Sequence, residues 1–82
     1  MIQFTRQAIK ALRKMPANEA GAIRSKIQEL ASNPFAAPNV KSLAGRPGYR
    51  LRIGDWRVIY EVAQNEQAIF ILKIAQRGGA YR

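Results

Sequence analysis

Residues 49–62 read YRLRIGDWRVIYEV, and two strands joined by a two-residue turn account for every position. The side-chain period is two on either side of Gly54-Asp55. Tyr49, Leu51 and Ile53 alternate with Arg50 and Arg52; Trp56, Val58, Tyr60 and Val62 alternate with Arg57, Ile59 and Glu61. Glycine first and aspartate second suits a type II′ hairpin turn, whose first central residue needs a positive φ. Folded about that turn, the stretch puts its apolar members on one face and its arginines on the other. Arginine is costly to bury and no favourite of strands. Three of them around one hairpin describe a surface built to hold something negative.

Working outward, residues 64–67, QNEQ, turn the chain, and 68–75, AIFILKIA, are almost continuously apolar. That run reads as a central strand covered on both faces. The last residues, QRGGAYR, leave the sheet. On the N-terminal side, residues 34–48 hold three of the four prolines and two glycines and read as a loop, with room for one turn of structure around Val40 to Leu43. Before it lie two amphipathic helices. The first is capped by Thr5 and carries Ala8, Ile9, Ala11, Leu12 and Met15 as its apolar stripe, with Arg6, Lys10, Arg13 and Lys14 opposite. The second is capped by Asn18, buries Ile23, Ile27, Leu30 and Ala31, and stops at Asn33-Pro34. Pro16 leaves room only for a short connection, hence an antiparallel helical hairpin. Residues 2–4, IQF, form a very short strand in front. The expected fold is α+β: a helical hairpin packed on a small antiparallel sheet, in one domain over residues 1–82.

The charge balance is lopsided. Fourteen Lys and Arg face five Asp and Glu, a net +9 at pH 7. A domain this basic is expected to meet a polyanion: nucleic acid first, with an acidic protein or a membrane surface as the alternatives. No apolar run approaches the roughly 18 residues of a membrane span, and residues 1–16 lack the apolar core of a secretory signal. The chain has no cysteine, so no disulfide or thiolate zinc site is expected, which fits a reducing cytosol. It also has no histidine. Any catalysis must run on Arg, Lys, Tyr and carboxylates, and neither a cofactor nor a metal is expected.

Arg50 and Arg52 lie two apart on a strand and emerge on one face, roughly 7 Å apart. Arg57 comes near them across the hairpin, and Arg77 emerges where the last strand ends. Guanidinium groups bind phosphate bidentately and keep their charge at every relevant pH. Four converging on one cleft would make a phosphate site; spread apart, they would serve solubility and edge protection. Trp56, Tyr60 and Tyr49 share the apolar face and read as core. Tyr81 stands outside the sheet between Arg77 and Arg82: either a frayed terminal residue, or one that stacks on a base or accepts a proton.

The pattern L-A-G-x-P-G-Y-R-L-R-I-G-D-W-R-V-I-Y-E-V, followed by an apolar strand and Q-R-x-x-A-Y-R, resembles the RelE/ParE superfamily of bacterial toxin–antitoxin toxins, and more closely its RelE branch. The resemblance runs from Phe4 to Arg82. It implies a RelE-like curved antiparallel sheet in the order β-α-α-β-β-β with a short first strand. It also implies a cytoplasmic, ribosome-dependent endonuclease that cuts messenger RNA in the A site through the ribose 2′-hydroxyl. Implied partners are a RelB-like antitoxin, the ribosome and its message, and operator DNA through the antitoxin complex, with no membrane. Position by position, the family's catalytic set falls on Arg50, Arg52, Arg57, Arg77 and Tyr81. Alternatives within the resemblance are a ParE-type poison of DNA gyrase and a weak toxin acting mainly in an operator complex. The chain departs from the RelE pattern in having arginine, not lysine, at 50 and 52. Arginine cannot give up its proton, so a general-base role falls on Tyr81, on a ribosomal group or on nothing. The shortened first strand is expected to leave a sheet edge open for an antitoxin segment.

Overall fold

The computed structural model describes residues 1–33, 40–45, 47–63, 65 and 68–76. In chain order the elements are β1 (Ile2–Phe4), α1 (Arg6–Lys14), α2 (Ala17–Ser32), β2 (Val40–Ser42), β3 (Tyr49–Ile53), β4 (Trp56–Val62) and β5 (Ile69–Gln76). The hairpin forms as its alternation requires: Ile53 faces Trp56 and Tyr49 faces Tyr60, with Gly54 at φ +55 in the turn. β5 returns antiparallel to β4 and completes a three-stranded meander.

Two features differ from the expected antiparallel sheet. The sheet has five strands in the order β1-β5-β4-β3-β2, and it is mixed, because β1 runs parallel to β5. The extra strand is β2, drawn from the segment read as a loop; it pairs antiparallel with β3. Three residues are too few to show a period against that many prolines and glycines. The parallel pair is consistent with the two helices between β1 and β2. β2 must run opposite to β1, since antiparallel pairings separate it from β5. The chain therefore leaves β1 and enters β2 at one end of the sheet, and a pair of helices running out and back makes that journey.

Both helices cover one face. Ala8 and Leu12 from α1 and Ala20, Ile23, Ile27 and Leu30 from α2 meet Leu51, Val58, Tyr60, Ile69, Ile71 and Ile74 from the sheet, all buried. Ile9, placed in the α1 stripe by its sequence, is 40% exposed. It lies about 100° round the helix from Ala8, outside the seam set by Ala8, Leu12 and Met15. Asn18 does not cap α2: the N-cap is Pro16, without a side-chain bond, and Asn18 is exposed in the first turn. β5 is half-covered on its outer face, where Phe70 and Leu72 keep partial exposure and Lys73 is exposed. Among the described residues, no helix is long and apolar enough to cross a membrane.

The edge of β5 beyond β1 is closed by side chains. β1 pairs only with Ile69, Phe70 and Ile71. Beyond that, the Thr5 N–H donates to the Ile71 carbonyl at 3.0 Å and the Thr5 hydroxyl to the Leu72 carbonyl at 2.7 Å. Thr5 Oγ1 also accepts from the Ala8 N–H at 3.2 Å, which is the expected cap of α1. Two residues later, Gln7 presents its carboxamide edge-on to Ile74. Nε2 donates to the Ile74 carbonyl at 3.1 Å, and Oε1 accepts from the Ile74 N–H at 3.0 Å. A glutamine amide thus stands in for one more residue of strand, and the opening expected beside the short first strand is filled as far as Ile74.

Candidate phosphate-binding face

On the side of the sheet away from the helices, the residues opposite one another across the strands form two rows. In the first, Lys41 of β2 faces Arg50, Arg50 faces Ile59, and Ile59 faces Lys73. In the second, Arg52 faces Arg57 and Arg57 faces Ala75. Side chains directly opposite have Cβ atoms about 5 Å apart, and like charges in that position are destabilising. Arg52 and Arg57 occupy such a pair. Lys41, Arg50, Arg52 and Arg57 together line a pocket of about 200 Å³. Arg52 is exposed, while Arg50 and Arg57 are half-buried. For so long a side chain, half-burial fits a methylene stem laid along the sheet with the guanidinium reaching the pocket.

The opposite face fixes the hairpin in place. The Trp56 indole Nε1–H donates to Glu19 Oε1 on α2 at 2.9 Å. The Tyr49 and Tyr60 rings stack with centroids 5.5 Å apart and planes 24° apart. Burial, with a smaller contribution from Tyr49, pushes the Tyr60 phenol up to about 12, so it is neutral at physiological pH. Trp56 and Tyr49 are half-buried and Tyr60 is fully buried, and all three belong with the core. Gly48 sets where β2 comes back. Its φ is +111, and a Cβ there would stand 3.0 Å from the Tyr60 carbonyl oxygen and 3.3 Å from Leu43 Cδ1. Leu43 N–H donates to the Gly48 carbonyl at 3.0 Å, holding the connection that lays Lys41 beside Arg50.

Of the residues expected in the site, Arg50, Arg52 and Arg57 come together as described, whereas Arg77 and Tyr81 lie outside the described residues. Two cations were not anticipated. Lys41 was hidden in a segment that reads as loop. Lys73 had a usable signal: it is the single charge in AIFILKIA, and a charge in an apolar strand marks the side facing water. A larger cavity of about 560 Å³ lies between α1, the start of α2 and the ends of β4 and β5. Its lining mixes Lys10 and Lys14 with Glu19, Gln7, Gln76 and apolar side chains. Binding a phosphate calls for converging donors more than for volume, and convergence is found in the smaller pocket.

Two helices on one face of a five-stranded mixed sheet is the architecture of RelE toxins. The archaeal RelE–RelB complex from Pyrococcus horikoshii OT3 aligns with a TM-score of 0.81 at 32% identity, covering 96% of each chain. RelE in the intact E. coli RelBE toxin–antitoxin complex aligns with a TM-score of 0.79 over 95% of each chain, and at 21% identity that likeness concerns the fold. A protein of Methanocaldococcus jannaschii named RelE1 is 32% identical over 84 residues, covering 99% of this chain and 93% of that protein. Residues 2–81 match the family described as the ParE toxin of type II toxin–antitoxin systems, and the chain belongs to that family of toxins.

Proposed function

We propose that this toxin is a ribosome-dependent endonuclease that cuts messenger RNA in the A site. The observation that carries the reading is the cross-strand pair of Arg52 and Arg57, with Arg50 beside it, around one open pocket. Guanidiniums set opposite one another around one pocket offer an anion two bidentate donor sets at once. The ribose 2′-oxygen would attack the adjacent phosphorus, and the bond from phosphorus to the 5′-oxygen would break. A 2′,3′-cyclic phosphate would be left, and the departing 5′-oxygen would take a proton from water to become a 5′-hydroxyl. Arg57 and Arg77 clamp the scissile phosphate; Arg50 and Arg52 position the backbone and offset the charge that develops on the phosphoryl oxygens. Tyr81 stacks on a base or takes the 2′-hydroxyl proton, which no arginine can do. The ribosome supplies what a site without histidine has poor means to supply, namely an RNA held with its 2′-oxygen in line.

The partner in this reading is a RelB-like antitoxin, as in the RelE–RelB complex from P. horikoshii, with operator DNA bound through the pair and the cytoplasm as the place of action. Primer extension on a defined message in a purified translation system tests the activity. New cuts within A-site codons that vanish without ribosomes are the expected result; an intact message at the same dose overturns it. The family match and the arginines at positions 50 and 52 favour a second reading, a ParE-type gyrase poison. In that case the message stays whole and supercoiling by purified gyrase is blocked. A chain inactive in both assays is a weak toxin that acts through its operator complex.

A further inference from the structure

The basic face does not end at the arginines. Lys41 and Lys73 stand at the two ends of the row that runs Lys41, Arg50, Ile59, Lys73 across four strands. Both lysines are exposed, and Lys41 shares the arginine pocket. With strands about 4.8 Å apart, the row is roughly 14 Å long, more than one phosphate can occupy. Its direction is set by charge. Along β4 the outward residues after Arg57 are Ile59 and then Glu61, paired with Phe70 on β5. Among the described residues the cations therefore stop toward the Glu61 end of β4 and continue across the strands. Between Arg50 and Lys73 the half-buried Ile59 offers an apolar surface within the row.

We infer that Lys41 and Lys73 hold the phosphates on either side of the one gripped by the arginines, so that a single-stranded RNA backbone crosses the sheet perpendicular to β3 and β4. The identification of the polyanion as RNA rests on the nuclease reading; the track itself rests on the register. Lys41 and Lys73 are positioning residues, each neutralising one phosphate away from the reacting atoms.

The test is the salt dependence of binding of the intact protein to an uncleavable single-stranded oligonucleotide carrying 2′-deoxyribose, read by fluorescence anisotropy. Each phosphate neutralised on a single strand adds about 0.7 to the slope of log affinity against log salt. Lys41→Ala and Lys73→Ala are each expected to reduce the slope by about 0.7 and the double variant by about 1.4. Arg24→Ala, an exposed cation on α2 on the other side of the molecule, is expected to leave it unchanged. Slopes unaltered in both lysine variants, or no binding by the wild type at low salt, overturn the track. So does a result in which the lysines govern binding of an acidic peptide and not of the oligonucleotide, which gives the face to a protein partner. Primer extension with the same preparations separates this from the nuclease reading. Cutting by the wild type with lysine-independent slopes sinks the track alone; lysine-dependent slopes without cutting sink the nuclease alone.

Discussion

At the scale of single residues, stability and activity are predicted, under the nuclease reading, to be opposed on the arginine face. Arg52 is exposed, sits opposite Arg57, and occupies a strand position better suited to a β-branched residue. Arg52→Thr is therefore expected to raise stability to urea by about 0.2–1 kcal/mol while slowing message cleavage. Arg57→Ala is expected to cut single-turnover cleavage roughly 10²–10³-fold, the usual loss when a group stabilising transition-state charge is removed, and Arg57→Lys to recover part of it. Undiminished cleavage by Arg57→Ala would count against the clamp. On the other face, the Tyr60 phenol is raised from 10.0 to about 12, by burial first and Tyr49 second. The folded-state value lies above the unfolded one, so the contribution is complete below pH 10 and is lost as pH climbs toward 12. Urea midpoints measured from pH 8 to 12 are expected to fall across that window, and Tyr60→Phe to flatten the fall.

Among the elements, β5 carries the most. It pairs with β4 along its length, with β1 over three residues, and with side chains from Thr5 and Gln7 beyond. Gln7→Leu keeps the size of the side chain and removes both bonds to Ile74, leaving a strand N–H and C=O without their partner. A loss of about 1–3 kcal/mol is expected by chemical denaturation, with hydrogen exchange at the Ile74 amide accelerated. Loss of stability without faster exchange at Ile74 would point to packing instead. Gly48→Ala puts a methyl group 3.0 Å from the Tyr60 carbonyl oxygen at a positive φ. It is expected to cost more than about 1 kcal/mol and to displace β2, weakening oligonucleotide binding in the manner of Lys41→Ala.

For the molecule as a whole, the net charge of +9 lies in a shell around a neutral core: no charged side chain is buried among the described residues. A field of that sign steers acidic partners and RNA alike. Association with the antitoxin, followed by stopped-flow, is expected to slow roughly tenfold or more as salt rises from about 0.05 to 0.5 M. A rate indifferent to salt would remove steering from the account.

The helices, the hairpin and the side on which Arg50, Arg52 and Arg57 emerge were legible from residue order. Periods of 3.6 and two are local properties, and one apolar face must be buried, so the arginine face had to open outward. Strand order was not legible in the same way. The parallel pairing of β1 with β5, the recruitment of Lys41 from a proline-rich connection and the bonds from Gln7 to Ile74, 67 residues away, arise only when distant segments meet. Each depends on which edge a short segment finds, and three residues of IQF or VKS carry too little pattern to say. The sequence by itself therefore determined the layers and the sign of the open face. The tertiary structure decided the length of that face and its ends, because only the register across β2, β3, β4 and β5 places Lys41 and Lys73 in one line with Arg50.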